Sequence, residues 1–251
     1  SSRPLLARRG RGVFRSRRAL TYDRGVCGRY ALTVAPDVLA ALFSLSGSTD
    51  FMARFNLAPS QEAPVIVRGE LGRDRALTSM RWGLVPSWAK DSKIAHRTIN
   101  ARSETAAEKP SFRSAFKRRR CLVPASWFYE WQREAGAKVP YRIQRADHRP
   151  LAFAGLWERW TGSAAEPPRV SFTVLTTDAN DDVAPLHDRM PCLIEPDDFD
   201  RWLTPEVDDG DATARMLAPA PAGLLALDRV SSRLNSVRNE GSGLMAPDTL
   251  F

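Results

Sequence analysis

Arginine is spread so unevenly along this chain that its distribution limits where a fold can begin. Residues 1–26 hold eight arginines, Arg3, Arg8, Arg9, Arg11, Arg15, Arg17, Arg18 and Arg24, against one acid, Asp23, a net of +7. The whole chain carries +8, which leaves residues 27–251 near +1. A leader of that composition is expected to be disordered. The folded protein is therefore expected to occupy 27–251. The high isoelectric point belongs to the leader and says little about nucleic-acid binding by the rest.

Three readings of the leader stand open. Its arginines, scattered serines and single acid fit a transit peptide, and it lacks the apolar core of a secretory signal. It could be a disordered nucleic-acid-binding arm. It could also be no part of the working protein: no methionine precedes Met52, and a GTG-type codon at Val26 would start translation and leave Cys27 next in line.

Residues 27–251 suit one domain, since no Gly/Ser-rich or Pro-rich linker divides them. Three cysteines cannot all pair, and no Cys-x-x-Cys or Cys/His metal spacing occurs, so reduced thiols and no metal are expected. Cys121 and Cys192 sit in short apolar runs and read as buried strand residues. No apolar stretch approaches the ~20 residues of a bilayer span, so no membrane association is expected.

Short strands dominate the pattern. Tyr30–Thr33, Val65–Val67, Leu77–Trp82, Cys121–Val123, Trp127–Trp131, Val139–Gln144, Leu151–Trp157, Val170–Thr176, Cys192–Ile194 and Leu224–Val230 read as strands, with Arg54–Ser60 extended into a turn. Helices are expected after Asp37 and after Ser103, each a plausible cap, and over Pro196–Leu203 and Ala212–Leu217. Many short strands with unevenly placed helices predict an α+β fold of mainly antiparallel sheet with a few peripheral helices.

Four segments carry candidate chemistry. In Trp127-Phe128-Tyr129-Glu130-Trp131 the period of two puts Phe128 and Glu130 on one face and the other three aromatics on the opposite one. A carboxylate in such company is expected to be desolvated, which raises its pKa towards neutrality and suits proton transfer; the plain alternative is a strand-edge glutamate facing water. Asn100 and Arg102 straddle a strand-to-helix junction, where Asn commonly serves a turn and Arg is commonly solvated. Arg102 also opposes the dipole of the helix it precedes, so another partner is expected for it. His187 lies in a polar loop with Asp188 and Arg189. Trp82 and Trp88 bracket Gly83 and Pro86, which reads either as core or as a stacking surface for unpaired bases.

Taken in order, Cys-Gly-Arg-Tyr (27–30), Asn-Leu-Ala-Pro (56–59), Trp-Gly-Leu-Val-Pro-Ser-Trp (82–88), Ile-Asn-Ala-Arg-Ser-Glu-Thr (99–105), Cys-Leu-Val-Pro-Ala-Ser-Trp-Phe-Tyr-Glu-Trp (121–131), His-Asp-Arg-Met-Pro (187–191) and Val-Arg-Asn-Glu-Gly (237–241) resemble the SOS response-associated peptidase family. The resemblance covers nearly all of 27–251. It implies a sensor of abasic sites in single-stranded DNA that is consumed by a covalent crosslink. It implies Cys27 as nucleophile once N-terminal, Asn100 orienting that terminus or the sugar, Glu130 moving protons, and His187 assisting at the opened sugar. Arg29, Arg102 and Arg189 would clamp phosphates, and Asn56, Pro59, Trp82 and Trp88 would shape the path of the strand. The resemblance also implies no cofactor, a monomer, and a cytoplasmic, nucleoid-associated place if the source is bacterial. Two alternatives remain: a cysteine peptidase that removes its own leader, and a non-covalent single-stranded DNA-binding module.

Overall fold

The computed structural model describes residues 27–69, 74–205 and 210–248. The leader and Val26 lie outside the described residues. The chain runs β1 (Tyr30–Leu32), α1 (Pro36–Phe43), β2 (Arg54–Leu57), β3 (Glu62–Arg68), β4 (Arg75–Trp82), a 3₁₀ turn (Ser92–Arg97), β5 (Asn100–Arg102), α2 (Ser103–Ala106), α3 (Arg113–Arg118), β6 (Arg120–Ala125), β7 (Trp127–Glu134), β8 (Ala137–Arg145), β9 (Leu151–Trp160), β10 (Arg169–Asp178), β11 (Arg189–Pro191), α4 (Phe199–Leu203), α5 (Gly210–Met216) and β12 (Leu225–Arg229). No described helix is long and apolar enough to cross a membrane.

Two sheets face each other. One has the order β12-β8-β7-β1-β2 and is antiparallel throughout. The other runs β10-β4-β3-β6-β9 and returns to β10, because β9 pairs with β10 from Arg169↔Trp160 to Val174↔Gly155. This return closes the second sheet into a small barrel and removes its edges. The far half of β10 extends past the barrel, flanked by β5 in parallel (Val174↔Asn100, Thr176↔Arg102) and by β11 in antiparallel (Asp178↔Arg189). The parallel β4–β10 and β5–β10 pairs are the departures from antiparallel order among the named strands.

The core lies between the sheets, where Tyr30, Leu32, Phe128 and Ile143 meet Phe153, Leu156, Phe172 and Trp82. The rings interlock edge to face: Tyr30 with Trp82 at 5.3 Å and with Phe153 at 5.9 Å, and Phe128 with Phe153 at 6.0 Å. The alternation in β7 is carried through faithfully. Phe128 enters this core, while Trp127, Tyr129 and Trp131 form a second apolar cluster with Ala31, Val230, Leu234 and Leu244 on the outer face, beneath the C-terminal segment.

Three local expectations shift. Helix α1 is entered through Ala35 with Pro36 in the first turn, so Asp37 favours the helix through its charge and not as a cap. Ser103 is likewise the first residue of α2, with Arg102 as a cap position that forms no side-chain bond. The strand expected at Cys192–Ile194 is instead Arg189–Pro191, because β11 must register with the end of β10; Leu193 keeps only an isolated bridge to Phe153.

Gly155 marks a tight crossing in the barrel wall. A Cβ there would lie 2.7 Å from the Cys121 sulfur and 3.0 Å from Val123 Cγ2. Gly155→Ala should lower stability by about 1–3 kcal/mol, as overpacking does. Urea unfolding midpoints measure this, and a double variant with Cys121→Ala should recover part of the loss because the nearest clash disappears.

Candidate active site

The centre of the site follows from strand register. Tyr30 pairs with Phe128, and the Tyr129 backbone N–H donates to the Arg29 carbonyl at 3.0 Å. Continuing backwards along β1, Cys27 arrives beside Glu130, and its backbone nitrogen donates to Glu130 Oε1 at 2.7 Å. Both residues are enclosed, at 1% and 3% exposure. Burial drives the Glu130 carboxyl up to about 8, the Asp188 charge pushes the same way, and the bond from Cys27 opposes them. Burial, and then the Glu130 charge, pushes the Cys27 thiol well above its ordinary value.

β5 sets Asn100 beside Val174 in the middle of β10, and β11, which begins two residues after His187, pairs on the opposite flank with the last residues of β10. The Asp188 charge acts on Glu130, so the loop that carries His187 lies near the Cys27–Glu130 pair. Burial lowers the His187 pKa, so its ring is neutral near pH 7. The Arg189 backbone N–H donates to His187 Nδ1 at 2.9 Å, and Asp188 Oδ1 also lies 2.9 Å from that nitrogen. One nitrogen cannot accept the first bond and donate the second. The backbone N–H is a fixed donor, so Nδ1 is the acceptor and the proton sits on Nε2.

Arg29 is half-buried beside this centre. Its Nη1 donates to Asn56 Oδ1 at 2.6 Å and to the Leu234 carbonyl at 3.0 Å, and its guanidinium lies 5.8 Å from the Trp131 ring centre. Asn56 in turn donates to the carbonyls of Ser236 and Asn239. The segment 231–245 is thus clamped against β1 and β2. On its side Arg29 and Asn56 meet backbone carbonyls, which any residue supplies, while Asn235 accepts from Trp131 and Glu240 from Arg54 and the Phe55 N–H.

Three residues expected at the DNA lie inside the protein. Arg189 Nη1 donates to Glu104 and Asp178 at 2.7 Å each, and Nη2 donates to Glu104 at 2.9 Å and to the Thr176 carbonyl at 2.5 Å. With all four terminal N–H groups used inside the protein, it joins α2 to β10 and β11. Asn56 is fully buried, so it reaches the surface only through Arg29. Trp82 is core, 1% exposed and stacked on Phe172, with its indole N–H on the Ile99 carbonyl. Of the two tryptophans only Trp88 presents a ring, at 58% exposure. Arg102 is exposed and Pro59 half-buried. The turn that holds Pro59 is tied to the Trp82 loop by two bonds, Ser60 N–H to the Trp82 carbonyl and Trp82 N–H to the Gln61 carbonyl. Gly83 at the head of that loop has φ +119, and a Cβ would lie 2.8 Å from the Ala95 carbonyl oxygen, so glycine is needed there. Among the described residues no cluster of three or more metal-ligating side chains occurs.

A buried acid thus faces the nitrogen of a cysteine where an antiparallel sheet meets a closed barrel. Residues 26–237 match the model of the SOS response associated peptidase (SRAP) family, and the chain belongs to it. The abasic site processing protein YoaM of Bacillus subtilis is 37% identical over 224 residues, covering 88% of this chain and 97% of that protein. The abasic site processing protein HMCES of Gallus gallus is 35% identical over 77% of this chain and 66% of its own length. Two crystal structures share the fold: a Bacteroides thetaiotaomicron protein with TM-score 0.78 at 22% identity, covering 89% of this chain and 100% of that one, and a Bordetella bronchiseptica protein with TM-score 0.69 at 30% identity, covering 82% and 100%.

The raised Glu130 pKa has a testable sign. The group is protonated in the folded state to about pH 8 and in the unfolded state only to about its ordinary value of 4.5. Its contribution to stability is therefore fully present below pH 4.5 and is lost as pH rises through 8. The Tm of the wild type relative to Glu130→Gln should fall over that window. A constant difference would show that Glu130 ionises as freely folded as unfolded.

Proposed function

We propose that this protein captures abasic sites in single-stranded DNA by forming a thiazolidine crosslink through Cys27. The observation that carries the reading is the 2.7 Å contact between the Cys27 nitrogen and the buried Glu130 carboxyl. The names of the relatives, abasic site processing proteins, support the choice of substrate.

An opened abasic deoxyribose presents a C1′ aldehyde. The Cys27 α-amine adds to it, the carbinolamine loses water to give an imine, and the thiol then adds across C=N to close a five-membered ring. The net change is one aldehyde plus one aminothiol giving a thiazolidine and one water. A carboxyl near pKa 8 both accepts the proton leaving the attacking amine and returns it to the departing hydroxyl. The elevated thiol pKa sets the order, because a thiol held protonated adds only after the imine has formed. Neutral His187, with its proton on Nε2, supplies a donor for the sugar oxygen as the ring opens. Ring closure gains from the two nucleophiles being on adjacent carbons.

This chemistry requires a free α-amine on Cys27. A cysteine-peptidase reading asks instead for a thiolate, and burial beside Glu130 moves the thiol the other way.

Incubating the protein that begins at Cys27 with abasic single-stranded DNA should give a heat-stable adduct at the summed mass minus one water. Cys27→Ala should abolish it, and Glu130→Gln should slow it by about 10²-fold, the usual size of general acid–base assistance. DNA binding without adduct would leave only the non-covalent module, and a cleaved peptide without adduct would favour the peptidase.

A further inference from the structure

Strand β1 sends Tyr30 into the space between the two sheets, and the residue carries one group more than that space asks for. The side chain is fully buried, and its ring packs against Trp82 at 5.3 Å and Phe153 at 5.9 Å. Its hydroxyl oxygen meets no hydrogen-bond partner among the described residues. A phenylalanine would fill the same space and strand no polar group, so the hydroxyl costs stability as it stands. Its presence is accounted for if a partner reaches it in another state of the site.

Two sulfurs are at hand. In the β6–β9 ladder Cys121 pairs with Gly155, and its sulfur lies where a Gly155 Cβ would be, on the face of β9 that also carries Phe153, the ring at the edge of Tyr30. Cys27 belongs to the same core cluster, three residues ahead of Tyr30 in the chain. Burial first, then charge on Cys27 and then charge on Cys121, holds the Tyr30 hydroxyl well above its ordinary pKa, so it stays protonated and able to donate. The two sulfurs differ in freedom. Cys121 sits inside a strand with β3 on one side and β9 on the other, whereas Cys27 precedes β1 and is held by no ladder.

We propose that the Tyr30 O–H donates to the Cys27 sulfur while the thiazolidine ring closes. This rests on the crosslinking function proposed above and adds a residue to its second half. Closure breaks the S–H bond and the π bond of C=N, and it forms a C–S and an N–H bond. The proton leaving sulfur ends on the ring nitrogen, and Tyr30 keeps its own. Negative charge builds on sulfur as that proton leaves, in an enclosure whose burial opposes it. A donor already fixed by Trp82 and Phe153 stabilises the charge without having to reorganise. Amine addition and loss of water take place at the nitrogen facing Glu130 and make no use of the hydroxyl.

Borohydride separates the two halves of the reaction, because it reduces the imine to a stable amine and spares the closed ring; mass tells the products apart. With protein beginning at Cys27 and abasic single-stranded DNA, Tyr30→Phe should form the imine at the wild-type rate and close the ring about tenfold more slowly, as loss of one hydrogen bond to a developing charge does. The share of protein trapped as imine at early times should rise to match. The urea midpoint should be unchanged or higher, since the stranded hydroxyl is gone. Cys27→Ala keeps the α-amine and lacks the sulfur, and adding Tyr30→Phe to it should leave imine trapping unaltered. If Tyr30→Phe folds poorly, difluorotyrosine placed at position 30, a stronger donor of the same shape, should speed closure. Closure at the wild-type rate in folded Tyr30→Phe, equal slowing of imine formation, or the same slowing in the Cys27→Ala background would each overturn the role of Tyr30 and leave the crosslink standing. Neither imine nor adduct from the wild type would overturn the crosslinking function, and this role with it.

Discussion

Everything distinctive about this molecule depends on keeping one carboxyl out of water and setting it against the Cys27 nitrogen. Glu130 sits in the middle of β7, its backbone paired with Tyr141 of β8 and its side chain taking a bond from Cys27, just before β1. The strand alternation that sends three aromatics outward leaves the carboxyl pointing into the core. Burying an ionised carboxylate is costly even with backbone donors from Cys27 and Trp131, and the group answers by holding its proton into the neutral range. The raised pKa is thus a consequence of where the strand runs.

Around this point the buried polar residues work as fasteners. Arg189 binds α2 to the far half of β10, and Asn56 binds the C-terminal segment to β1 through Arg29. Each spends its hydrogen bonds inside the protein. Leaving either network half made would strand buried donors, at about 1–3 kcal/mol each. The surface cations are a separate population. Arginine identity alone therefore does not tell a fastener from a surface cation, since Arg102 and Arg189 lie within the same group of strands and one is exposed while the other is bonded inside.

That distinction explains what could be read from the chain and what could not. The placement of Phe128 and Glu130 on one face follows from the period of two, and the strand-rich α+β architecture follows from the run of short β-branched segments. The parallel pairing of β10 with β4 and β5 joins residues far apart in sequence, and no local pattern marks it. The displacement of β11 to Arg189–Pro191 has the same origin, since its register is set by β10. Trp82 reads equally as core or as platform, because an indole suits both. Its neighbours decide: Phe172 beneath it, Tyr30 at its edge and the Ile99 carbonyl on its nitrogen.

Cys27 has φ +42, a left-handed conformation without the excuse of glycine. Such a torsion exists only when a peptide bond precedes the residue. While one does, the conformation carries a penalty of about 1–3 kcal/mol, which the packing around Cys27 must hold in place. A Cys27 that begins the chain has no such angle to satisfy, and its nitrogen becomes free to turn about the Cα bond towards either Glu130 or an incoming carbonyl.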